Sequence, residues 1–430
     1  GFVINFNLTF WYVLFGGVVT NWVTTLAISP GLLVLGQVTA NPSLTQLGTV
    51  LSQSQNVIII GLVVTAVNVL VMAKGVKAIF TLNNILIIFS LIGYAVTFWL
   101  LATNSVGDFM NDFNAFSSVS YNNIIAAAHQ SGYSTQGDLV IGTLGLMPFI
   151  FGTTGYGMIS CYFSGEFKAA KKNAFYGMVG SVVLCGAILA VLGGLALRDF
   201  GYDFLGSITQ LAYTGSTQYP FPVPPFFYLF VSLLTNNPII LWFLVLSYVA
   251  ATFTALPATY MLTTRNIFAW SFDRTIPSKF SQVNEKIGSP IYAIAVCALI
   301  EILGLVSYTY ISSFTGLVAG AGLAQIISFI VVAVLAILLP LKKQFYENSP
   351  AKMGGRIPVI SIVGTISLIF YLIMEYFYIT NPLYGATSPL INDTIAFSII
   401  LPAIIFGASY YSHKSKGLNI LDVFKQIPPE

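Results

Sequence analysis

Long apolar stretches alternate with short polar ones along this chain, and no period of two runs through them. The run 57–71 is apolar except for Thr65 and Asn68. Stretches of this kind fit helices that cross a bilayer, which need about 20 residues for about 30 Å of hydrocarbon. A membrane barrel would instead give alternating segments of about ten residues. Ten spans are predicted, at 8–36, 57–73, 78–102, 139–163, 174–197, 238–263, 290–309, 316–341, 357–380 and 394–411. The fold class expected is all-α and polytopic. Pro30 near the end of the long first span predicts a bend or an early stop. Two connections are long. Residues 103–138 carry Asp108, Asp112, His129 and Asp138 with no Lys or Arg, and residues 198–237 include the proline-rich stretch 219–225. The apolar run 226–234 is too short to span and reads as an interfacial or re-entrant helix.

Composition agrees with that pattern. Of 430 residues, 56% are hydrophobic and 7% charged, against about 25% charged in a soluble domain. Mean hydropathy is +0.85. A soluble enzyme, a nucleic-acid binder and a disordered chain are all excluded. The net charge of +3 matters less than where the charges lie. Alternating the connections places 16 of the 17 Lys and Arg on one side and Arg198 alone on the other. Lys and Arg are retained on the cytoplasmic face, so Gly1 and Glu430 are both expected inside. Cys161, Cys185 and Cys297 lie apart in apolar segments, which fits packing better than a disulfide frame or a zinc site. No linker or soluble domain interrupts the chain, so 1–430 reads as a single transmembrane domain.

The fourth span holds the most informative segment, Phe151-Gly152-Thr153-Thr154-Gly155-Tyr156-Gly157, with Pro148 just before it. Three glycines and two threonines at mid-membrane depth weaken a helix. Non-helical backbone inside a membrane is tolerated only where protein or a wet cavity satisfies it, and transporters use such breaks to hold substrate. Phe151, Gly152, Thr153, Thr154, Gly155 and Tyr156 are therefore candidate substrate-binding residues. Close helix packing through small residues is the alternative. Two acids fall within spans. Glu301 lies near mid-membrane and is a functional candidate by default, although a structural hydrogen-bonding role is also open. Glu375 is expected at the outer interface. Gly316, Gly320, Gly322 and Gln325 stand at the start of the eighth span, where close packing is expected. His129 and His413 have no catalytic or metal-ligating neighbours in sequence, and no cofactor motif appears.

Beyond the fourth span come Ser164-Gly165-Glu166-Phe167-Lys168 and Lys171-Lys172-Asn173. After the sixth come Thr264-Arg265-Asn266, Asp273-Arg274, Ile276-Pro277, Asn284-Glu285-Lys286 and Ser289-Pro290-Ile291. This ordered set, together with Lys74-Gly75-Val76-Lys77, resembles the amino acid–polyamine–organocation (APC) transporters over nearly the whole chain. The resemblance implies an inverted-repeat fold with a broken helix at the substrate site. It aligns 1–102 with three helices of the first repeat, about 139–341 with the second repeat and 357–411 with two extra helices. The first two family helices then have no counterpart, and with Gly1 in place of methionine this suggests a truncated chain. The resemblance implies a secondary transporter, not an enzyme, that moves amino acids across the plasma membrane by alternating access. A channel or facilitator on the same fold is the alternative, and a membrane-embedded enzyme a remote one. Expected partners are an amino acid substrate and the lipid bilayer. Gly157 stands where many members carry an acid, which favours a neutral amino acid. No cofactor is expected beyond a coupling ion, H+ or Na+. Ser90 occupies the position of a lysine linked to proton movement in some members, and Ser247, Thr252 and Thr254 lie near a sodium site of others. With Glu301 they form the set of candidate coupling residues. The eighth span aligns with a family helix that lines the substrate path, so the resemblance implies that some of Gly316, Gly320, Gly322 and Gln325 face that path as the alternative to packing.

Overall fold

The computed structural model describes residues 1–137, 139–166, 170–284, 288–311, 314, 317–347, 349, 352, 358–380 and 389–420. Among these residues it has ten helices long and apolar enough to cross a membrane, and no β-strand. The chain is an all-α polytopic membrane protein. Asp138 lies outside the described residues.

The first span is one helical rod of 37 residues, Phe2–Val38. It comprises α1 (Phe2–Trp22), a π turn (Val23–Ile28) and α2 (Ser29–Val38). The helix does not stop at Pro30. The wider π turn ends just before it, where the missing N–H would otherwise interrupt the ladder. The chain then turns into α3 (Pro42–Leu51), a helix the apolar pattern did not predict. Asn41 caps it by accepting from the Ser43 N–H at 3.1 Å, and Ser29 Oγ donates to the Gly48 carbonyl at 2.5 Å. Next come α4 (Ser54–Ala73) and α5 (Val76–Thr103). Gly75 joins them at φ 86°, a conformation that favours glycine.

The two long connections fold into a helical cap rather than loops. It contains α6 (Val106–Phe116) and α7 (Tyr121–Gln130) before the fourth span, α8 (Leu139–Thr154). After α9 (Ala170–Phe200) it adds α10 (Tyr202–Tyr213) and α11 (Phe227–Leu233). The helix read from 226–234 is thus present, and it is buried. A capping box, Ser105 with Asp108, starts α6. The cap coheres through aromatic rings. Phe109 lies 4.6 Å from Phe200 between ring centroids, and Tyr121 stacks on Phe204 at 4.4 Å. Arg198, the lone basic residue on this side, donates to the carbonyls of Leu101 and Asn104 at the end of α5. A cation there complements the helix dipole.

The sixth span runs from Pro238 to Phe272 as α12 (Pro238–Phe253) and α13 (Ala255–Phe272), which meet at Thr254. The remaining helices are α14 (Ile291–Tyr310), α15 (Leu317–Leu338), the short α16 (Lys343–Glu347), α17 (Val359–Thr380) and α18 (Pro389–Lys414). Helix α1 is the hub and packs on α13, α14, α15 and α18. Its contact with α14 is glycine-mediated. A side chain on Gly17 would meet the backbone of Glu301, Gly304 and Leu305, and one on Gly304 would meet the Leu14 carbonyl. Two backbones can approach this closely only where no Cβ intervenes. The peripheral helices instead turn large apolar side chains outward, such as Val183 and Leu184 of α9 and Ile366 and Leu372 of α17.

Candidate functional site

The helix type changes where the glycines and threonines predict weakness. Helix α8 ends at Thr154, and Gly155–Glu166 continues as a 3₁₀ helix. The sequence suggested an unwound stretch; the backbone tightens instead. The effect on hydrogen bonding is still local disorder of the ladder. Passing from i→i−4 to i→i−3 bonding shifts the register of the ladder at this point. Thr153 and Thr154 turn their hydroxyls to the same acceptor, the Ile150 carbonyl, each at 2.8 Å. Bonds of this kind bend helices, and Pro148 inside α8 adds to the weakness.

The six candidate residues do not all face one way. Phe151 packs edge-on to Phe329 of α15 and Tyr371 of α17. Gly152 has nothing within 4 Å of where a Cβ would stand, and Thr153 is exposed. Gly155 faces inward: a Cβ there would lie 2.9 Å from Gln325 Nε2 and 3.3 Å from the Phe151 ring. Gln325, on α15, is buried, and its amide nitrogen has no hydrogen-bond partner. Tyr156 packs edge-on to Tyr12 of α1 at 5.4 Å and stacks on Phe15 at 6.3 Å. The Tyr12 hydroxyl is buried and unpartnered. Gly155, Gln325, Tyr156 and Tyr12 thus surround one junction with unspent hydrogen-bonding groups and no charge.

Beyond the junction, the 3₁₀ segment is tied to α1 and α13. Asn5 donates to the Tyr162 hydroxyl at 3.3 Å and accepts from the Trp270 indole at 3.1 Å. Asn266 donates to Thr9 at 2.8 Å. On the opposite flank Ser398 of α18 donates to Asn7 at 2.5 Å and accepts from Trp11 at 3.2 Å. Asn5 and Asn7 of α1 explain why the apolar pattern started the span at residue 8, six positions after the helix begins.

The candidate coupling residues are scattered. Ser90 donates to Leu86, Ser247 to Leu244, Thr252 to Tyr248 and Thr254 to Ala251, each to a carbonyl of its own helix. Ser247 lies across the α5–α12 contact from Gly93. Glu301 is fully buried and accepts from the Thr65 hydroxyl at 2.6 Å. It stands among α1, α4, α13 and α14, away from the serine and threonine set.

Several motif residues hold the ends of helices. Arg274 adopts φ 60° just past the end of α13, while the Thr275 N–H returns to the Trp270 carbonyl at 2.9 Å. This closes the helix as a left-handed C-cap does. Ser289 donates to the Met72 carbonyl at 3.3 Å and so closes the end of α4. Phe167, Lys168, Glu285, Lys286 and Gly316 lie outside the described residues.

A family model described as amino acid permease matches residues 4–405. The chain belongs to the amino acid permease family. The permease is therefore a multi-pass membrane protein of a family that transports amino acids and is not a family of enzymes. Comparison with curated proteins gives no match. The match extends across the junction in α8 and across all four helices that surround Glu301. Sequence reasoning missed Tyr12, Phe15, Thr65 and Tyr260 as neighbours of these sites. The adjacent Gly16 and Gly17 in an otherwise bulky span were the one available signal that α1 lies at a close crossing.

Proposed function

We propose that the permease carries neutral, zwitterionic amino acids across the plasma membrane by alternating access, with the substrate held at the junction of α8 and the 3₁₀ segment. The observation that carries this reading is the juxtaposition at Gly155. The change from α to 3₁₀ geometry lies against the unpartnered Gln325 amide. Backbone carbonyls at such a break in a membrane helix suit an ammonium group, and the amide suits a carboxylate. No Lys, Arg, Asp or Glu stands among the residues of that junction, so a substrate with net charge would be left unpaired there at considerable cost.

Counterflow tests the reading. The permease is reconstituted in vesicles preloaded with unlabelled neutral amino acids, and entry of labelled amino acid is followed. A carrier is accelerated by the preload, because its site returns loaded. A channel is not, and a flat response would overturn the proposal.

The proposed orientation has Gly1 and the C-terminus in the cytoplasm, following the basic residues. Asn111 in α6 and Ser278 beyond α13 are both exposed. In a protein with Cys161 and Cys185 changed to serine, Asn111→Cys is expected to react with an impermeant thiol reagent on intact cells. Ser278→Cys should react only after permeabilisation. The reverse pattern would invert the topology.

A further inference from the structure

Helix α1 also borders a second buried polar cluster, among α4, α13 and α14. Glu301 of α14 is its centre. One carboxylate oxygen accepts from Thr65, and the other has no partner. That second oxygen faces Gly16 of α1. The position a Cβ would take on Gly16 is 3.6 Å from Oε2 and 3.7 Å from the hydroxyl of Thr259. The absent side chain therefore leaves space beside the free oxygen. Tyr260 of α13 is fully buried with its hydroxyl beside the carboxyl, close enough to interact with it although the two do not meet in full hydrogen-bond geometry. Asn68 lies one turn beyond Thr65 on the buried stripe of α4, fully enclosed, with both amide atoms unpaired.

Unpaired buried polar atoms are rare in native proteins, and each requires a reason. Here the second oxygen of a buried carboxyl is one of them, and the two amide atoms of Asn68, one turn along α4 from Thr65, add to the set. An ionised carboxylate at this depth needs a counter-charge, and the described residues facing it supply none. Helix α1 presents Gly16 and Gly17, α4 presents Thr65 and Asn68, and α13 presents Thr259 and Tyr260. On α14 itself the titratable neighbour is Cys297. The titratable groups in the cluster are thus Glu301, Tyr260 and Cys297, and Glu301 is the acid among them. The hydroxyls of Thr65 and Tyr260 are donors that can steady the ionised form for as long as it exists. A proton matches this donor-rich surround better than a metal cation, which would ask for acceptors on every side.

We propose that the Glu301 cluster binds the proton whose movement drives amino acid uptake. The inference rests on the transport reading above and adds the coupling ion and its site. Helix α1 connects the two. Within one turn, Tyr12 and Phe15 touch Tyr156 at the substrate junction while Gly16 faces the carboxyl. Neutralising Glu301 removes a buried charge from the α1–α14 contact, and α1 passes any resulting shift to the junction.

The test uses the reconstituted permease and a mixture of labelled neutral amino acids. Wild type is expected to accumulate label when the outside is made acidic, up to about tenfold per pH unit of gradient for one proton per substrate. Glu301→Gln mimics the protonated acid. It should keep counterflow near the wild-type rate and lose accumulation in response to the gradient. Thr65→Val removes a donor that favours the ionised form, so the pH of half-maximal acid stimulation should move alkaline. This second variant decides the matter should Glu301→Gln fail to fold. Accumulation by Glu301→Gln in an acid gradient would overturn the proton site, as would an unmoved pH profile in Thr65→Val. Accumulation driven by a Na+ gradient instead would also overturn it. Absence of counterflow in the wild type would overturn the transport reading, which keeps the two failures distinguishable.

Discussion

Gly17→Leu is expected to prevent the permease from reaching its folded state. Helices α1 and α14 cross at Gly16, Gly17 and Gly304, and a Cβ on Gly17 would press on backbone atoms of Glu301, Gly304 and Leu305. Side-chain rotation cannot relieve a collision with backbone, so one helix must move away. Overpacking of ordinary cores costs about 1–3 kcal/mol, occasionally more. Here the displaced element is the hub that also touches α13, α15 and α18, so the loss should lie at or above the top of that range. The measurement is the melting temperature and yield of monodisperse protein in detergent. Gly186→Leu in α9 is the matched control. Packing damage at Gly186 is a natural guess from sequence, but a Cβ there meets nothing within 4 Å. Its stability should be unchanged or slightly raised, since replacing helix glycine gains up to about 1 kcal/mol. Equal melting of Gly17→Leu and Gly186→Leu would show that the close crossing does not exist.

The contrast between these glycines marks how far the sequence could be read. The ten spans are legible because a bilayer dictates their length and apolarity, and the weak point at Gly155 is legible because glycine, threonine and proline act on the local backbone. Asn5 and Asn7 misled the reading of α1, since their partners are Tyr162, Trp270 and Ser398 on distant elements. Only the folded bundle shows that these polar side chains are satisfied. The same holds for Thr65 and Glu301, which are 236 positions apart. The helical cap was missed for a different reason. Its helices are short, and their apolar faces, such as Phe109 with Phe113 and Phe204 with Ile208, bury against one another rather than in lipid. Window averages tuned to spanning helices dilute four-residue spacings of this kind.

Gly155→Leu should behave in the opposite way to Gly17→Leu, with stability kept and substrate binding lost. The atoms nearest to an added Cβ are Gln325 Nε2 at 2.9 Å and the Phe151 ring at 3.3 Å. Both are ends of side chains, and both can rotate aside at small cost. The fold therefore survives, but the leucine occupies the space between the helix junction and the Gln325 amide, where the substrate carboxylate is proposed to bind. Leucine also restores helix propensity by up to about 1 kcal/mol and opposes the change to 3₁₀ geometry. Binding of a neutral amino acid should fall at least a hundredfold, about 2.8 kcal/mol, with the melting temperature close to wild type. Binding and melting are measured side by side on the same purified permease. Gln325→Ala separates the two contributions. It removes the amide without blocking the space and should weaken binding less than Gly155→Leu does. In the double variant the leucine has room to lie back, yet binding should not recover, because the carboxylate partner is gone. Normal binding by Gly155→Leu would remove the junction from the substrate path and leave Thr153 and Thr154 as residues that only bend α8.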